Sequence, residues 1–195
     1  MDFTVIILAG GKSTRMGQNK ALLPIGNDTE IAHLVKLAKK ITKHIIVVTN
    51  EFQSFTTLNV KLVADLRKNM GPLAGIEAGL TATTTDLNLI LACDMPFINV
   101  EIALEIMKYA ESYDAVIPMI NGQRHPLFAA YHKNCLPHVI KTLDEQDRKI
   151  VFLLDKLNTK WLTEHELHHA DSNIFFNMNT VEEYQWAKKQ FTETE

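Results

Sequence analysis

Cysteine is scarce in this 195-residue chain: only Cys93 and Cys135 occur, far apart in the sequence. They form no C-x-x-C unit, so we predict neither a zinc site nor a disulfide framework, and we expect reduced structural thiols. Long apolar runs are also lacking. The N-terminal run from Phe3 to Leu8 is too short for a spanning helix and follows no charged segment, so we expect a cytoplasmic protein without a signal peptide.

A strong excess of one charge is lacking too. Lys and Arg number 20 and Asp and Glu 23, which gives a net charge of −3. Such a balance gives no general attraction to nucleic acid or to a membrane, so neither is expected as a partner, and a polyanion must be bound by a local cluster of cations. With no repeat or linker, residues 1–195 are predicted to form a single globular domain.

The most informative stretch covers residues 3–24. Phe3 to Leu8 is a continuous apolar run rich in β-branched residues, which predicts a buried strand that ends in a tight turn at Gly10-Gly11. The following loop holds three cations, Lys12, Arg15 and Lys20. Glycines let several backbone N–H groups converge on one anion, so we predict a polyphosphate site. A solvated face is the alternative for the cations, and for Lys12 above all.

Two common phosphate motifs do not fit this loop. A Walker A loop would require a glycine at the position of Ile6, inside the strand, and the fingerprint G-x-G-x-x-G has no clean match. The pattern that fits is L-x-G-G-x-S-x-R-M-G-x-x-K, with Leu8, Gly10, Gly11, Ser13, Arg15, Met16, Gly17 and Lys20 at its fixed positions. It resembles the signature of nucleotidyltransferases that transfer NMP from an NTP to a phosphate or a sugar phosphate.

Within that superfamily, Leu8-Ala9-Gly10-Gly11 is similar to the molybdenum cofactor guanylyltransferases, whereas related cytidylyltransferases more often have alanine at the position of Gly10. The resemblance implies transfer of GMP from GTP to molybdenum-molybdopterin, with Mg²⁺ as cofactor and with partners in cofactor delivery and molybdoenzyme maturation. It implies nucleotide contacts from Leu8, Ala9, Gly10, Gly11, Lys20, Asn50, Asp65, Gly75 and Asp94, and catalysis by Arg15, Lys20 and Asp94. The alternatives are a cytidylyltransferase, a sugar-phosphate nucleotidyltransferase, or a non-catalytic nucleotide-binding accessory protein.

Further strands are predicted at residues 44–49, 60–64 and 87–93, and helices lie between them. This alternation favours a three-layer Rossmann-like α/β sheet, mostly parallel, and the resemblance implies the nucleotide-diphospho-sugar transferase type. Residues 127–132 alternate as an antiparallel strand. Residues 1–100 are predicted as the nucleotide-binding half and residues 101–195 as the acceptor-binding half.

Helix and strand ends give three more expectations. Asn27 is predicted to cap the first helix, with Glu30 as its partner. Residues 173–176 are predicted to form a strand. Thr180-x-x-Glu183 is predicted as a capping box that begins the last helix.

Four polar or small residues directly follow predicted strands, namely Gly10, Asn50, Asp65 and Asp94. Ligands of open α/β sheets bind beyond the carboxyl ends of the strands, so we expect these residues to share one rim. Asp94 precedes Met95-Pro96, which stops the strand, and a carboxylate beside a phosphate loop suits Mg²⁺. A turn-capping role is the alternative for Asp94, Asp65 and Asn50.

The second half of the sequence gives weaker indications of functional residues. Residues 124–128 resemble the family's acceptor-facing segment, in which His125 is either a turn residue or a catalyst. Arg148 and Lys149 could meet the acceptor phosphate or be solvated. Asn177 and Asn179 resemble the family's Asn-x-Asn element near the metal, and either is a candidate second ligand. The histidines at 165, 168 and 169 lack metal-site spacing and are interpreted as an exposed loop.

Overall fold

The structure, a computed structural model, describes residues 1–10, 19–168 and 172–194. Gly11 and Arg15 lie outside the described residues, as does His169, so their predicted roles stay predictions. The strands are β1 (Phe3–Leu8), β2 (Pro24–Ile25), β3 (Asp28–Thr29), β4 (His44–Val48), β5 (Lys61–Val63), β6 (Leu87–Ala92), β7 (Ala115–Ile120), β8 (Gln123–Arg124), β9 (Phe128–His132) and β10 (Thr159–Thr163). The α-helices are α1 (Glu30–Lys39), α2 (Pro72–Ala82), α3 (Val100–Met107), α4 (Leu136–Asp144), α5 (Ile150–Leu154) and α6 (Val181–Thr194).

The main sheet has the strand order β10-β7-β9-β6-β1-β4-β5, and β8 pairs with β7. Strand β1 lies between β4 and β6 and is parallel to both, while β9 is antiparallel to β6 and β7. Every residue of β1 and β6 is buried, because helices cover both faces of a parallel sheet and leave no polar side of the strand.

The helices lie on both sides of the sheet. Val5 and Ile7 of β1 point to the face that packs against α1 and α3, whereas Ile6 and Leu8 point to the face that packs against α2, α4 and α5. Successive side chains of a strand alternate between faces, so one apolar run supplies both cores. The predicted three-layer α/β fold, mostly parallel with an antiparallel strand, is confirmed. Within the described ranges, no helix is long and apolar enough to cross a membrane.

The predicted start of the first helix was wrong. Strands β2 and β3 form a short hairpin, and Asn27 lies in its turn after Gly26, which has φ +52°. The N-cap of α1 is Thr29, whose hydroxyl accepts a hydrogen bond from the backbone N–H of Ala32 at 3.4 Å. Glu30 is therefore the first helical residue and not a capping partner.

Two assignments in the second half also differ from the prediction. Residues Ser172–Phe175 form a 3-10 helix, whereas a strand was predicted at residues 173–176. A short apolar run shows no periodicity that distinguishes a strand from a helix. Strand β10 was not predicted, because Leu162 is its only buried residue and no apolar alternation marks it. The capping box before α6 is confirmed, since the Glu183 N–H donates to Thr180 Oγ1 at 3.1 Å and the Thr180 N–H donates to Glu183 Oε2 at 2.8 Å.

Candidate active site

One part of the site lies at the carboxyl ends of β1, β4 and β5. The Asn50 amide donates to Asp65 Oδ2 at 2.9 Å, and the Asp65 N–H donates back to Asn50 Oδ1 at 3.2 Å. A methyl group placed on Gly10 would lie 3.5 Å from Asp65 Oδ2, and one placed on Gly75 of α2 would lie 3.1 Å from Leu8 and 3.7 Å from Asp65 Oδ1. The structure thus brings these five residues together at one rim, in a group that we call the Asp65 cluster.

Within the Asp65 cluster, Asn50 is held by Asp65 through both ends of its amide. This pairing ties the loop after β4 to the loop after β5 and leaves one amide hydrogen of Asn50 without a hydrogen bond among the described residues. Ala9 is buried, and its N–H donates to the carbonyl of Val48 at 2.9 Å. Gly10 is exposed beside the carboxylate of Asp65, so a ligand can approach the backbone there, whereas Gly75 is buried against Leu8 and serves the packing of α2 on β1.

A second group, which we call the Asp94 cluster, lies beyond β6. The Lys20 ammonium donates to Asn179 Oδ1 at 2.9 Å and lies 3.5 Å from Asp94 Oδ2. The N–H of Met178 donates to the carbonyl of Asp94 at 2.8 Å. These contacts bring three distant segments of the chain to one point. The side chains of Lys20 and Asp94 are 16% and 25% exposed, so the ion pair is largely shielded from bulk water.

Local structure fixes each member of the Asp94 cluster. Lys20 begins a 3-10 helix whose N-cap, Asn19, accepts the N–H of Ala21 and donates to Glu51 Oε2 at 3.0 Å. The N–H of Asn179 donates to Glu183 Oε2 at 2.6 Å, as part of the cap of α6. The cluster is therefore set by caps and turns and not by the strands alone.

The electrostatics of Asp94 favour a cationic ligand. Burial raises the pKa of the Asp94 carboxyl, the nearby charge and hydrogen bond of Lys20 act in the opposite direction, and the charge of Glu183 raises the pKa further. A shielded carboxylate with a raised pKa is one whose charge is only partly compensated. A divalent cation at this position would supply the missing charge.

Glu30 was missed as a functional candidate by the sequence analysis. It is fully buried at the start of α1, and neither of its carboxylate oxygens has a hydrogen-bond partner in the part of the chain that the structure describes. Burial, and then the charge of Asp94, raise its pKa from 4.5 to about 8. An acidic residue in the first turn of a helix ordinarily faces water and complements the dipole, so the sequence carries no signal for this burial.

The buried Glu30 predicts a pH dependence of stability that Glu30→Gln should remove. The folded protein keeps a proton on Glu30 that the unfolded chain releases, so stability falls as pH rises from about 5 to about 8, by a few kcal/mol. Urea denaturation of the parent and the variant across this range measures the difference. Parallel stability curves for the two proteins would show that Glu30 is not buried as an acid.

In the acceptor half, His125 is buried against Phe175 and is not exposed to a ligand. The His125 ring lies 4.4 Å from the ring of Phe175, and burial lowers the pKa of His125, which keeps the imidazole neutral. Asn177 lies two residues before Asn179 in the sequence, and its amide donates to the carbonyl of Phe175 at 3.4 Å. The guanidinium of Arg124 lies 4.5 Å above the ring of Trp161. Arg148 and Lys149 are exposed before α5.

Residues 5–161 match a family model described as the MobA-like NTP transferase domain. The chain belongs to this family. It is 34% identical over 193 residues to a probable molybdenum cofactor guanylyltransferase of Bacillus mycoides (strain KBAB4), with 96% of each chain covered. As a MobA-like NTP transferase, the protein is an enzyme, a nucleotidyltransferase.

Solved structures agree with the fold of a MobA-like NTP transferase. Molybdopterin-guanine dinucleotide biosynthesis protein A from Archaeoglobus fulgidus superposes with a TM-score of 0.85 at 25% identity, covering 97% of this chain and 99% of that one. A 4-diphosphocytidyl-2C-methyl-D-erythritol synthase from Anaerococcus prevotii superposes with a TM-score of 0.72 at 15% identity, covering 98% of both chains, and this likeness shows the fold alone. The predicted nucleotide-diphospho-sugar transferase type of sheet is thereby confirmed.

The Asp94 cluster fits a magnesium ion that is held jointly with a substrate. Among the described residues, no group of three or more His, Cys, Asp or Glu side chains could hold a metal. Mg²⁺ is commonly bound by one or two carboxylates, with phosphate oxygens and water completing its shell. Asp94 offers one such carboxylate whose charge is only partly compensated, and Asn179 offers an amide oxygen that accepts a hydrogen bond from the same Lys20 ammonium.

Proposed function

We propose that this nucleotidyltransferase transfers GMP from GTP to molybdenum-bound molybdopterin and releases pyrophosphate. The printed names of the relatives from Bacillus mycoides and Archaeoglobus fulgidus support guanylyl transfer to a molybdopterin. The observation on which the proposal depends is the Asp94 cluster, in which a lysine, a shielded carboxylate and an amide meet beyond β6. We place the reaction in the cytoplasm, together with proteins that deliver the cofactor and mature molybdoenzymes.

The two halves of the chain divide the substrates between them. The Asp65 cluster lies in residues 1–100 and offers a carboxylate, an amide hydrogen and the exposed Gly10 to a nucleoside. Residues 101–195 are proposed to bind the acceptor, and their exposed cations Arg124, Arg148 and Lys149 can meet its phosphate. The Asp94 cluster joins the halves, because Asn179 of the second half contacts Lys20 of the first. Phosphates of both substrates then meet at this cluster.

The proposed chemistry requires no general base. A terminal phosphate oxygen of the acceptor attacks the α-phosphorus of GTP, a new P–O bond forms, and the bond to the pyrophosphate oxygen breaks. The second pKa of a phosphate monoester is about 6, so the nucleophile is already largely ionised near neutral pH. Catalysis therefore depends on positioning and on neutralising the charge of the phosphates.

Lys20 and Asp94 have complementary tasks in this scheme. Asp94 would hold Mg²⁺, with Asn179 as the candidate second ligand, and the ion would supply Lewis acidity to the reacting phosphates. Lys20 compensates Asp94 in the substrate-free protein and, with its ammonium already at the cluster, contacts the phosphates when they bind. A point charge on a flexible stem can follow the phosphates as they separate. Arg15 is proposed to add a bidentate contact from the preceding loop.

Gly10→Ala is expected to lower the use of GTP relative to CTP. The chain itself tolerates the methyl group, because its nearest neighbours would be Asp65 Oδ2 at 3.5 Å and the Val48 carbonyl at 4.0 Å. The added volume therefore acts on the ligand, where it crowds the larger purine edge and its exocyclic amine. The ratio of kcat/KM for the two nucleotides measures the effect. An unchanged ratio would place guanine selection elsewhere, with Asn50 as the next candidate.

A nucleotide panel tests the proposed function. The purified protein is incubated with molybdenum-loaded molybdopterin, Mg²⁺ and each of GTP, CTP, ATP and UTP, and pyrophosphate release and the dinucleotide product are measured. Guanylyl transfer is expected with GTP only. Preference for CTP would make the protein a cytidylyltransferase, and transfer to a sugar phosphate would make it a sugar-phosphate nucleotidyltransferase. Release of no pyrophosphate with any nucleotide would favour the accessory nucleotide-binding protein.

A further inference from the structure

Glu30 takes no part in the proposed reaction, yet the burial of its carboxyl group is unusual for an acidic residue. Its side chain is 0% exposed, and both carboxylate oxygens lack a hydrogen-bond partner among residues 1–10, 19–168 and 172–194. Buried polar groups in native proteins are nearly always paired, so an unpaired one requires an explanation such as a catalytic role or a missing water or ion.

Stability does not explain this residue. Taking an unpaired carboxyl out of water opposes folding, and a well-packed apolar side chain of similar size would be neutral or stabilising at such a position. Two other residues of α1, Ile31 and Leu34, are apolar and fully buried. Helix initiation is already provided by the Thr29 cap. The acid thus opposes folding, and no hydrogen bond from the described residues to its carboxylate offsets that cost.

The chain places Glu30 near the Asp94 cluster. The N–H of Glu30 donates to the Leu23 carbonyl at 2.9 Å, and the N–H of Leu23 donates to the Lys20 carbonyl at 3.1 Å, so one hydrogen-bonded segment carries both Lys20 and Glu30. On the other side, the charges of Asp94 and Glu30 both act on the thiol of Cys93 and raise its pKa, after burial. Glu30 therefore lies close to the end of β6, where Asp94 leaves the sheet.

We propose that Glu30 is a positioning residue that adds a second negative charge to the cation site of Asp94. Glu30 gives up its proton when the cation binds, because a nearby positive charge favours the carboxylate, and its unpaired oxygens then accept hydrogen bonds from water bound to the cation. Without the cation, Lys20 compensates Asp94 alone and Glu30 has no partner. Hydrogen-bonding groups of this kind around a metal tune its affinity strongly. The inference rests on the proposed cation site at Asp94 and names the group that completes it.

Cation binding without turnover tests this role. Mn²⁺ serves as the probe, and free Mn²⁺ is measured by electron paramagnetic resonance in the presence of GTP and the absence of acceptor. Glu30→Gln keeps the size of the side chain and removes the charge, so we expect its apparent Kd for Mn²⁺ to rise about tenfold or more. Glu105→Gln is the matched control, because Glu105 is also a buried helical glutamate but is paired with the N–H of His168 at 3.1 Å. Its Kd should equal that of the parent.

Two further variants keep the outcomes separate. Glu30→Leu replaces the unpaired group with an apolar one, so it is expected to melt no lower than the parent and still to show the weaker Mn²⁺ binding. Asp94→Asn reports on the cation site itself. If Asp94→Asn loses Mn²⁺ while Glu30→Gln and Glu30→Leu bind it as the parent does, the inference is overturned and the proposed site stands. If Asp94→Asn also binds Mn²⁺ like the parent, both are overturned.

Discussion

Asp94→Asn is expected to abolish nucleotidyl transfer and to leave the fold intact. Asparagine keeps the shape of the side chain and one oxygen, but it loses the charge that a divalent cation needs. The backbone contact from Met178 to the Asp94 carbonyl does not involve the side chain and remains. Loss of a ligand to the cation should raise the barrier by several kcal/mol, which lowers the rate on the order of 10²-fold or more.

A Mg²⁺ titration of pyrophosphate release measures this effect. Asp28→Asn is a suitable control, because Asp28 of β3 forms an ion pair with the exposed Lys36 of α1. The control should keep both the turnover and the Mg²⁺ midpoint of the parent. Parental turnover of Asp94→Asn at an unchanged Mg²⁺ midpoint would remove Asp94 from the mechanism and leave Asp65 as the next candidate ligand.

The sheet and its rim could be predicted from the sequence because both follow from local patterns. The apolar runs of β1 and β6 are buried on both faces, and such runs are visible without any tertiary information. Parallel strands present their carboxyl ends at one edge, so residues placed directly after them meet. Gly10, Asn50 and Asp65 illustrate this, since their mutual contacts join the ends of three neighbouring strands.

The Asp94 cluster could be predicted only in part, because its contacts are not local. Lys20 and Asn179 are 159 positions apart, and the segment before Asn179 contains a 3-10 helix where a strand was predicted. The burial of Glu30 depends on the unpredicted hairpin of β2 and β3, which moves the start of α1 to Glu30 itself. The sequence pattern predicts which residues follow the strands. The hydrogen-bond partners and the burial of those residues are determined by how the loops fold over the strand ends.

The contacts of Lys20 in the structure determine which substitution best tests its role. As a loop cation facing solvent, Lys20 could be replaced by alanine without leaving a cavity. In the structure its side chain is only 16% exposed and is held by Asn179 and Asp94, so alanine would remove a packed stem together with the charge. Lys20→Met keeps the stem and removes only the ammonium, and it is therefore the more informative variant.

Lys20→Met is expected to lower turnover on the order of 10²-fold, because the phosphates lose a preorganised charge in a shielded site. Since Lys20 also holds down the pKa of Asp94, its loss should shift the acid limb of the pH–rate profile to higher pH. Lys20→Arg retains the charge and should keep the acid limb near that of the parent. Lys36→Met, which removes a 66% exposed lysine from an ion pair on α1, should change neither property. Parental turnover of Lys20→Met at an unchanged melting temperature would show that Lys20 serves only to compensate Asp94 and does not contact the reacting phosphates.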